Sequence, residues 1–551
     1  MVLPSVYLTL DAVQTTSAKL MGRQSAGRGF MRALAKAYAT DTQTLNLVHG
    51  VASDRIALEN EVRSAGWSGA IVHRNSTLPD EWPEGVLYYP APFNTKMSWQ
   101  RSRRGQAQLA FCGVTHTISS STVLQQFADY VHGPFGPWDA LVCTSQSVLK
   151  VVHQVWQLQR EHLANRLGVP QIHPQMPMTP VIPLGVHTKD FASAPQLRMK
   201  ARSQWRIKDD EVVVLYVGRL SLHAKANPLP MYLACARAAQ KTGRKLRVLE
   251  CGWFANEAIR KSFDEAAGVA GIEVTRLDGR EPGATNLAFA GADIFMSLSD
   301  NIQETFGLTP LEAMAAGLPV VVSDWDGYRE TVRDGIEGLL VPSSQPSMPD
   351  VGQAVSHGYE DGRVNYDHYV AQMHLLASVD IDACTQALVR LVQDPALRHR
   401  LGEAGRHRAQ EVYDWSVVMR QYQTLWAEQE TIRQGHAPAS AVREPAFTHP
   451  LKLFDHYPTH TLNSQTRFWQ DDLANPKSAT LTMWGFAGQR ISAPDWLWSE
   501  RANLPATGPS HITVAHWAKA CGLALPQAIR DVAFMHKIGW VQLQPNSDDS
   551  T

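Results

Sequence analysis

The chain has 551 residues, with 51 Lys and Arg against 52 Asp and Glu and a formal net charge of −1. At roughly 150 residues per domain, and with single cores rarely growing past about 250–300 residues, it is too long for one core, so two large domains and a smaller piece are expected. A composition of 44% hydrophobic and 19% charged residues excludes disorder and collagen, and the even charge balance argues against a dedicated nucleic-acid binder.

No apolar run reaches the roughly 18 residues needed to cross a bilayer. The start, MVLPSVYLTLDAV, lacks a basic n-region and a signal cleavage site, so a cytoplasmic protein is expected. Six cysteines, Cys112, Cys143, Cys235, Cys251, Cys384 and Cys521, are scattered without a C-x-x-C pair. That pattern suits reduced, buried thiols better than a zinc site.

Over the first 430 residues short apolar runs alternate with helical stretches, the form of parallel sheets with crossover helices. Strands are predicted at 6–10, 44–48, 69–72, 85–89, 107–114, 140–144 and 180–183. A second series follows at 212–217, 246–250, 272–276, 294–298, 319–323 and 338–341. Two series imply two doubly wound domains, 1–190 and 191–430, joined near 191–202. Residues 343–379 interrupt the pattern with a Ser/Pro-rich loop and one shorter helix. Helical sequence then runs through 400–426. Residues 431–551 change character, with Pro-rich connections and six of the sixteen tryptophans. So much aromatic surface implies a folded accessory domain.

The chemistry concentrates in NIQETFGLTPLEAMAAGLP, residues 301–319, where Glu304 and Glu312 are separated by seven residues. A strand ending near Leu298 feeds a loop, and Pro310 opens a helix stopped by Gly317. Glu304 then lies outside the carboxyl end of a strand, where open α/β sheets bind ligands, and Glu312 in the first turn of the helix. The amides of Gly307, Leu308 and Thr309 point donors into the same crevice. Carboxylates accept from vicinal hydroxyls and a helix N-terminus suits phosphate, so a sugar nucleotide matches all the parts.

This segment resembles the E-x7-E signature of the retaining family 4 glycosyltransferases. Val217-Gly218-Arg219-Leu220 and Lys225 resemble the family's G-R-L segment and companion lysine. Pro183 to Val186 resembles its interdomain segment, with His187 where an Asp is usual. Residues 323–342 resemble the segment after the E-x7-E helix, and 402–426 the closing helix that returns to the first domain. The resemblance covers about residues 1–430. It implies a GT-B fold, two facing Rossmann-like domains with the active site between them, and transfer with retention from a nucleoside-diphosphate sugar to a glycan or glycolipid-type acceptor, as in polysaccharide biosynthesis. Arg219 and Lys225 would stabilise the departing diphosphate without a metal, Glu304 would hold the donor sugar and Glu312 the ribose. His116, at the end of a first-domain strand, would orient the sugar. Residues 21–29 resemble the family's Gly-rich first loop, with Gly27 allowing close backbone approach and a helix starting near Phe30. Gly218, Phe306, Gly307, Leu308 and Thr309 complete the expected donor-binding set. Asp11 and Arg28 could also reach the cleft. Asp324-Trp325-Asp326 reads as a loop rather than a metal-binding D-x-D, and no cofactor or essential metal is expected.

Residues 513–543 read as two helices with a Gly between them and a following strand, resembling a winged helix-turn-helix. Residues 431–551 hold ten Lys/Arg and nine Asp/Glu, too balanced for DNA. Protein interaction, packing on the core or dimerisation is the expected role. A peripheral position at the inner face of a membrane goes with a glycolipid acceptor. The alternatives are a GT-B sugar-nucleotide epimerase and a non-catalytic sugar-nucleotide-binding or interaction protein.

Overall fold

The computed structural model describes residues 2–13, 22–38, 40, 42–77, 79–192, 195–436, 441–473, 475 and 512–544. The chain divides into two compact units, Met1–Arg443 and Glu444–Thr551.

The large unit holds two six-stranded parallel sheets. The first contains β1 (Ser5–Tyr7), β2 (Thr44–His49), β3 (Ala70–Asn75), β4 (Gly85–Tyr89), β5 (Leu109–Val114) and β6 (Ala140–Val142), in the order β3-β2-β1-β4-β5-β6. The second contains β7 (Val212–Val217), β8 (Leu246–Gly252), β9 (Val274–Asp278), β10 (Ile294–Ser297), β11 (Val320–Ser323) and β12 (Gly338–Val341), in the order β12-β11-β10-β7-β8-β9. Both are the Rossmann order, with the switch point between the first and fourth strand of each sheet. Strands such as β5 and β7 are buried at every residue. Helices cover both faces, so their sequences are continuous apolar runs without alternation. The two-domain GT-B architecture expected from the sequence is therefore the one observed.

Segment 180–183 is not a strand of the sheet. It runs beside β6 through isolated bridges, with Cys143 N–H donating to Pro180 O and Ile182 N–H to Cys143 O. Pro180 and Pro183 have no N–H, which leaves the ladder incomplete.

Residues 343–379 also differ from expectation. Two helices, Pro349–Glu360 and Tyr366–His374, form a hairpin between the antiparallel strands β13 (Ser343–Ser344) and β14 (Ser378–Val379). The sequence reading missed the first helix because of the Ser/Pro run ahead of it, yet Pro349 sits in its first turn, where a missing N–H costs nothing.

The helix Trp415–Gly435 returns to the first sheet. Trp415, Val418, Met419, Tyr422, Leu425 and Trp426 belong to that sheet's core, around Phe30, which stacks on Tyr88 at 3.9 Å. Gln429 Nε2, buried beneath them, donates to the carbonyls of Phe111 and Trp138. This packing carries the helix past residue 430, so the large unit ends beyond the boundary drawn from the sequence.

The small unit contains β15 (Arg467–Gln470), β16 (Ile512–Thr513) and β17 (Val541–Gln544) in the antiparallel order β16-β15-β17, with helices Val514–Ala520 and Leu525–Lys537. Phe468, Trp517, Val532 and Trp540 form its core. The helix-turn-helix-strand reading of 513–543 matches this arrangement. Asp531, on the second of these helices, is buried. Trp484, Trp496 and Trp498 lie outside the described residues. Of the cysteines, all but Cys521 are buried.

Candidate active site

β7 and β10 are neighbours at the point where the strand order of the second sheet reverses. Arg219 follows β7 and Glu304 follows β10, so topology alone brings their loops to one crevice. Hydrogen bonds then lock the loops together. Ser299 Oγ donates to Lys225 O at 3.3 Å, and Asn301 Nδ2 to His223 O. Arg219 Nη2 donates to Gln303 Oε1 at 3.1 Å, and Lys225 Nζ to Glu304 Oε2 at 3.0 Å. Of the catalytic residues named from the sequence, the structure thus brings Arg219, Lys225 and Glu304 together.

The helix after Glu304 spans Leu308–Ala315, beginning two residues ahead of Pro310, so Glu312 lies in its second turn and not its first. Gly307 has φ +85°, and a Cβ there would fall 1.9 Å from the Tyr328 ring. Only glycine permits both, and it leaves the Leu308 and Thr309 amides at an open helix start. Burial raises the Glu312 carboxyl to about 7.

One donor-site expectation requires correction. Gly27 is not in a loop: residues from Gly22 onward are already helical, through Tyr38. A Cβ on Gly27 would meet Ala12 O at 2.2 Å, so its missing side chain serves the packing against the short helix Leu10–Val13. The sequence read as a loop because of its glycines, and tertiary packing overrode that propensity. Met21 lies outside the described residues. The Phe306 side chain is buried in the core beside Tyr413. The Gly218 N–H donates to Cys251 O at 3.0 Å, which commits that amide to the edge of the sheet.

His116 follows β5, at the carboxyl end of the first sheet. Burial, with Arg23 nearby, pushes its imidazole down to about 4. It is therefore neutral near pH 7, able to exchange hydrogen bonds with a hydroxyl but offering no positive charge. Arg23, inside the segment read as a loop, is the cation that faces it. Arg23 also pairs with Asp11 at 3.2 Å.

Several residues at the site escaped sequence reasoning. Asp326 adopts a left-handed backbone, φ +47°. Burial and the carboxylates of Glu304 and Glu330 raise it to about 8, and it bonds Ser147 of the first half. Its neighbour in the D-x-D, Asp324, instead pairs with Arg329 at 3.2 Å. The two carboxylates therefore serve different partners. Ser145 Oγ donates to Thr305 O at 3.0 Å, and Glu330 accepts the backbone N–H groups of Gln146 and Ser147. The carboxyl ends of both sheets thus meet directly. A left-handed Asp has a weak local signature, but the contacts across the halves leave none in sequence.

The comparisons with known proteins support a glycosyltransferase. The family model described as "Glycosyl transferases group 1" matches residues 198–349, which include Arg219, Lys225, Glu304 and Glu312. Among relatives, the chain is 28% identical over 318 residues to a phosphatidyl-myo-inositol mannosyltransferase of Mycobacterium leprae, covering 57% of this chain and 67% of that one. It is 24% identical over 408 residues to the Mycolicibacterium smegmatis protein of the same name, covering 68% and 90%. A D-inositol 3-phosphate glycosyltransferase of Geodermatophilus obscurus is 34% identical over 177 residues, 31% of this chain and 38% of its own. A solved structure of Anabaena HepE with UDP and glucose aligns over 77% of this chain and 100% of its own, at 15% identity and a TM-score of 0.49. Among the described residues, no helix is long and apolar enough to cross a membrane.

Proposed function

We propose that the protein transfers a sugar, with retention, from a nucleoside-diphosphate sugar to a polyol or glycolipid-type acceptor. The observation that carries this reading is the convergence of Arg219, Lys225 and Glu304 on one crevice that also receives the start of the helix Leu308–Ala315. Two fixed cations suit a leaving group that gains negative charge as the glycosidic bond breaks. Lys225 orients the Glu304 carboxylate, which accepts from donor-sugar hydroxyls. Glu312, when ionised, accepts from ribose hydroxyls. Neutral His116 orients the sugar from the other sheet. With Arg219 and Lys225 in these roles the departing phosphate needs no metal.

The relatives named for phosphatidyl-myo-inositol and inositol 3-phosphate make inositol-bearing acceptors the first class to test. A lipid-linked acceptor would bring the protein to the inner face of a membrane, and the unit Glu444–Thr551 would serve as a protein-interaction or dimerisation module. The test is release of UDP or GDP from a panel of sugar nucleotides with inositol phosphates and phosphatidylinositol as acceptors. Arg219→Ala and Glu304→Ala should each lower turnover by about 10²–10³. Turnover should persist in excess EDTA. Unchanged turnover in both variants would overturn the site, and loss in EDTA restored by Mn²⁺ would overturn the metal-free mechanism.

A further inference from the structure

The hairpin at 349–374 is held by the second half and reaches the first. At its base β13 pairs with β14, and the buried His374 faces Asp300, which follows β10, at 3.1 Å. At its far end, the Tyr359 hydroxyl accepts the Ser121 N–H at 3.1 Å, one of the otherwise unpaired amides opening the helix Ser121–Asp129. Tyr366, the first residue of the hairpin's second helix, lies within 2.7 Å of Ser119 Oγ. Its hydroxyl also receives a bond from Gln303 Nε2 at 3.3 Å.

The direction of these bonds follows from donor counting. Arg219 has only donors, so the Gln303 amide must turn its oxygen to Arg219 and its nitrogen to Tyr366. The Tyr366 oxygen then accepts from Gln303, and its single proton is available to Ser119 Oγ. The result is a chain, Arg219 to Gln303 to Tyr366 to Ser119, that begins at the proposed leaving-group cation and ends three residues beyond His116. Bonds aligned donor to acceptor in this way strengthen one another. Ser119 Oγ comes from the first half, so the chain is complete only when the two halves meet.

We infer that Tyr366 is a positioning residue, which orients Gln303 and through it the Arg219 guanidinium, and does so only in the closed arrangement. Leaving-group stabilisation is thereby tied to closure. Water attack on the donor is suppressed while the halves are apart, because the cation is then less well placed. The inference rests on the proposed role of Arg219.

The test is a double-mutant cycle of Tyr366→Phe against Arg219→Ala, read on turnover and on calorimetric binding of UDP and GDP, which requires no acceptor. Tyr366→Phe keeps the ring and should lower kcat about tenfold with the donor KM little changed. In the Arg219→Ala background it should have no further effect. Ser119→Ala should reproduce the kcat loss, because it removes the acceptor that fixes the phenol. Full additivity of Tyr366 and Arg219 in both readouts, or an unchanged kcat in Tyr366→Phe, would overturn the inference. A loss in Tyr366→Phe with none in Ser119→Ala would overturn the link to closure. If Arg219→Ala alone leaves both nucleotide binding and turnover intact, the functional reading fails first, and the cycle reports that separately.

Discussion

Glu330, which follows β11 in the second sheet, accepts the backbone N–H of Gln146 through both carboxylate oxygens, at 2.8 and 2.9 Å. Gln146 opens the 22-residue helix Gln146–Leu167 of the first half. The carboxylate therefore caps a helix from the opposite half and meets the positive end of its dipole. Glu330→Ala should weaken closure by about 1 kcal/mol, a roughly fivefold shift toward separated halves. Small-angle scattering should show a larger radius of gyration for Glu330→Ala, with Glu330→Gln between it and the parent. Identical curves for all three proteins would refute the latch.

Glu312 and Asp326 predict how stability depends on pH. Their carboxyl groups titrate at about 7 and about 8 in the folded protein, raised in both cases first by burial. A raised folded pKa means that the folded state holds the proton more tightly than the unfolded chain. The stabilising contribution is full below the unfolded values near 4 and is lost as pH rises through about 7 and 8. The melting temperature of the protein without nucleotide should therefore fall between about pH 5 and about pH 8.5, and Glu312→Gln with Asp326→Asn should flatten that fall. An equally steep fall in the double variant would exclude these groups as its source.

In the proposed role, ionised Glu312 accepts from ribose hydroxyls. Calorimetric affinity for UDP or GDP should rise as pH passes through about 7, with proton release on binding. Glu312→Gln should bind more weakly and lose the pH dependence. A rise that persists unchanged in the variant assigns the proton elsewhere.

His116 has the opposite sign. Its folded pKa, about 4, lies below the ordinary histidine value, because burial and Arg23 disfavour the imidazolium. Its contribution to stability is present above about pH 6.5 and disappears as pH falls toward 4. Turnover should show no histidine-type acid limb between about pH 5.5 and 7. His116→Ala should lower kcat without introducing one. A limb near 6.5 that vanishes in His116→Ala would show an imidazolium in use and overturn the neutral role.

The strand that leads to His116, β5, is braced by Asp139. This fully buried carboxylate accepts from Arg101 Nη2 at 3.0 Å, Phe111 N at 2.9 Å and Gly136 N at 3.1 Å. Asp139→Ala leaves the Arg101 charge buried without its partner and should cost about 3–5 kcal/mol, read as a lower urea midpoint. A loss below about 1 kcal/mol would mean that the Arg101 charge finds another partner.

The sequence by itself determined the two sheets and the loops that bring Arg219, Lys225 and Glu304 to one crevice. Continuous Val/Leu/Ile runs between helical stretches have one stable solution, a parallel sheet covered on both faces, and twelve strands appear near the predicted positions. Arg219, Lys225 and Glu304 stood out because each follows a strand, and Glu312 because it lies in the helix that comes directly after Glu304, so local spacing already fixes the element that holds each. Gly27 was misread because local propensity could not foresee the packing of the helix Gly22–Tyr38 against Ala12. Asp326, Glu330, Gln303 and Tyr366 were invisible for a related reason. Their roles depend on partners distant in sequence, such as Gln303 and Ser119 for Tyr366, and no local pattern encodes a contact across two halves. Only the tertiary structure, by bringing the carboxyl ends of the two sheets face to face, decided which polar side chains became part of the site.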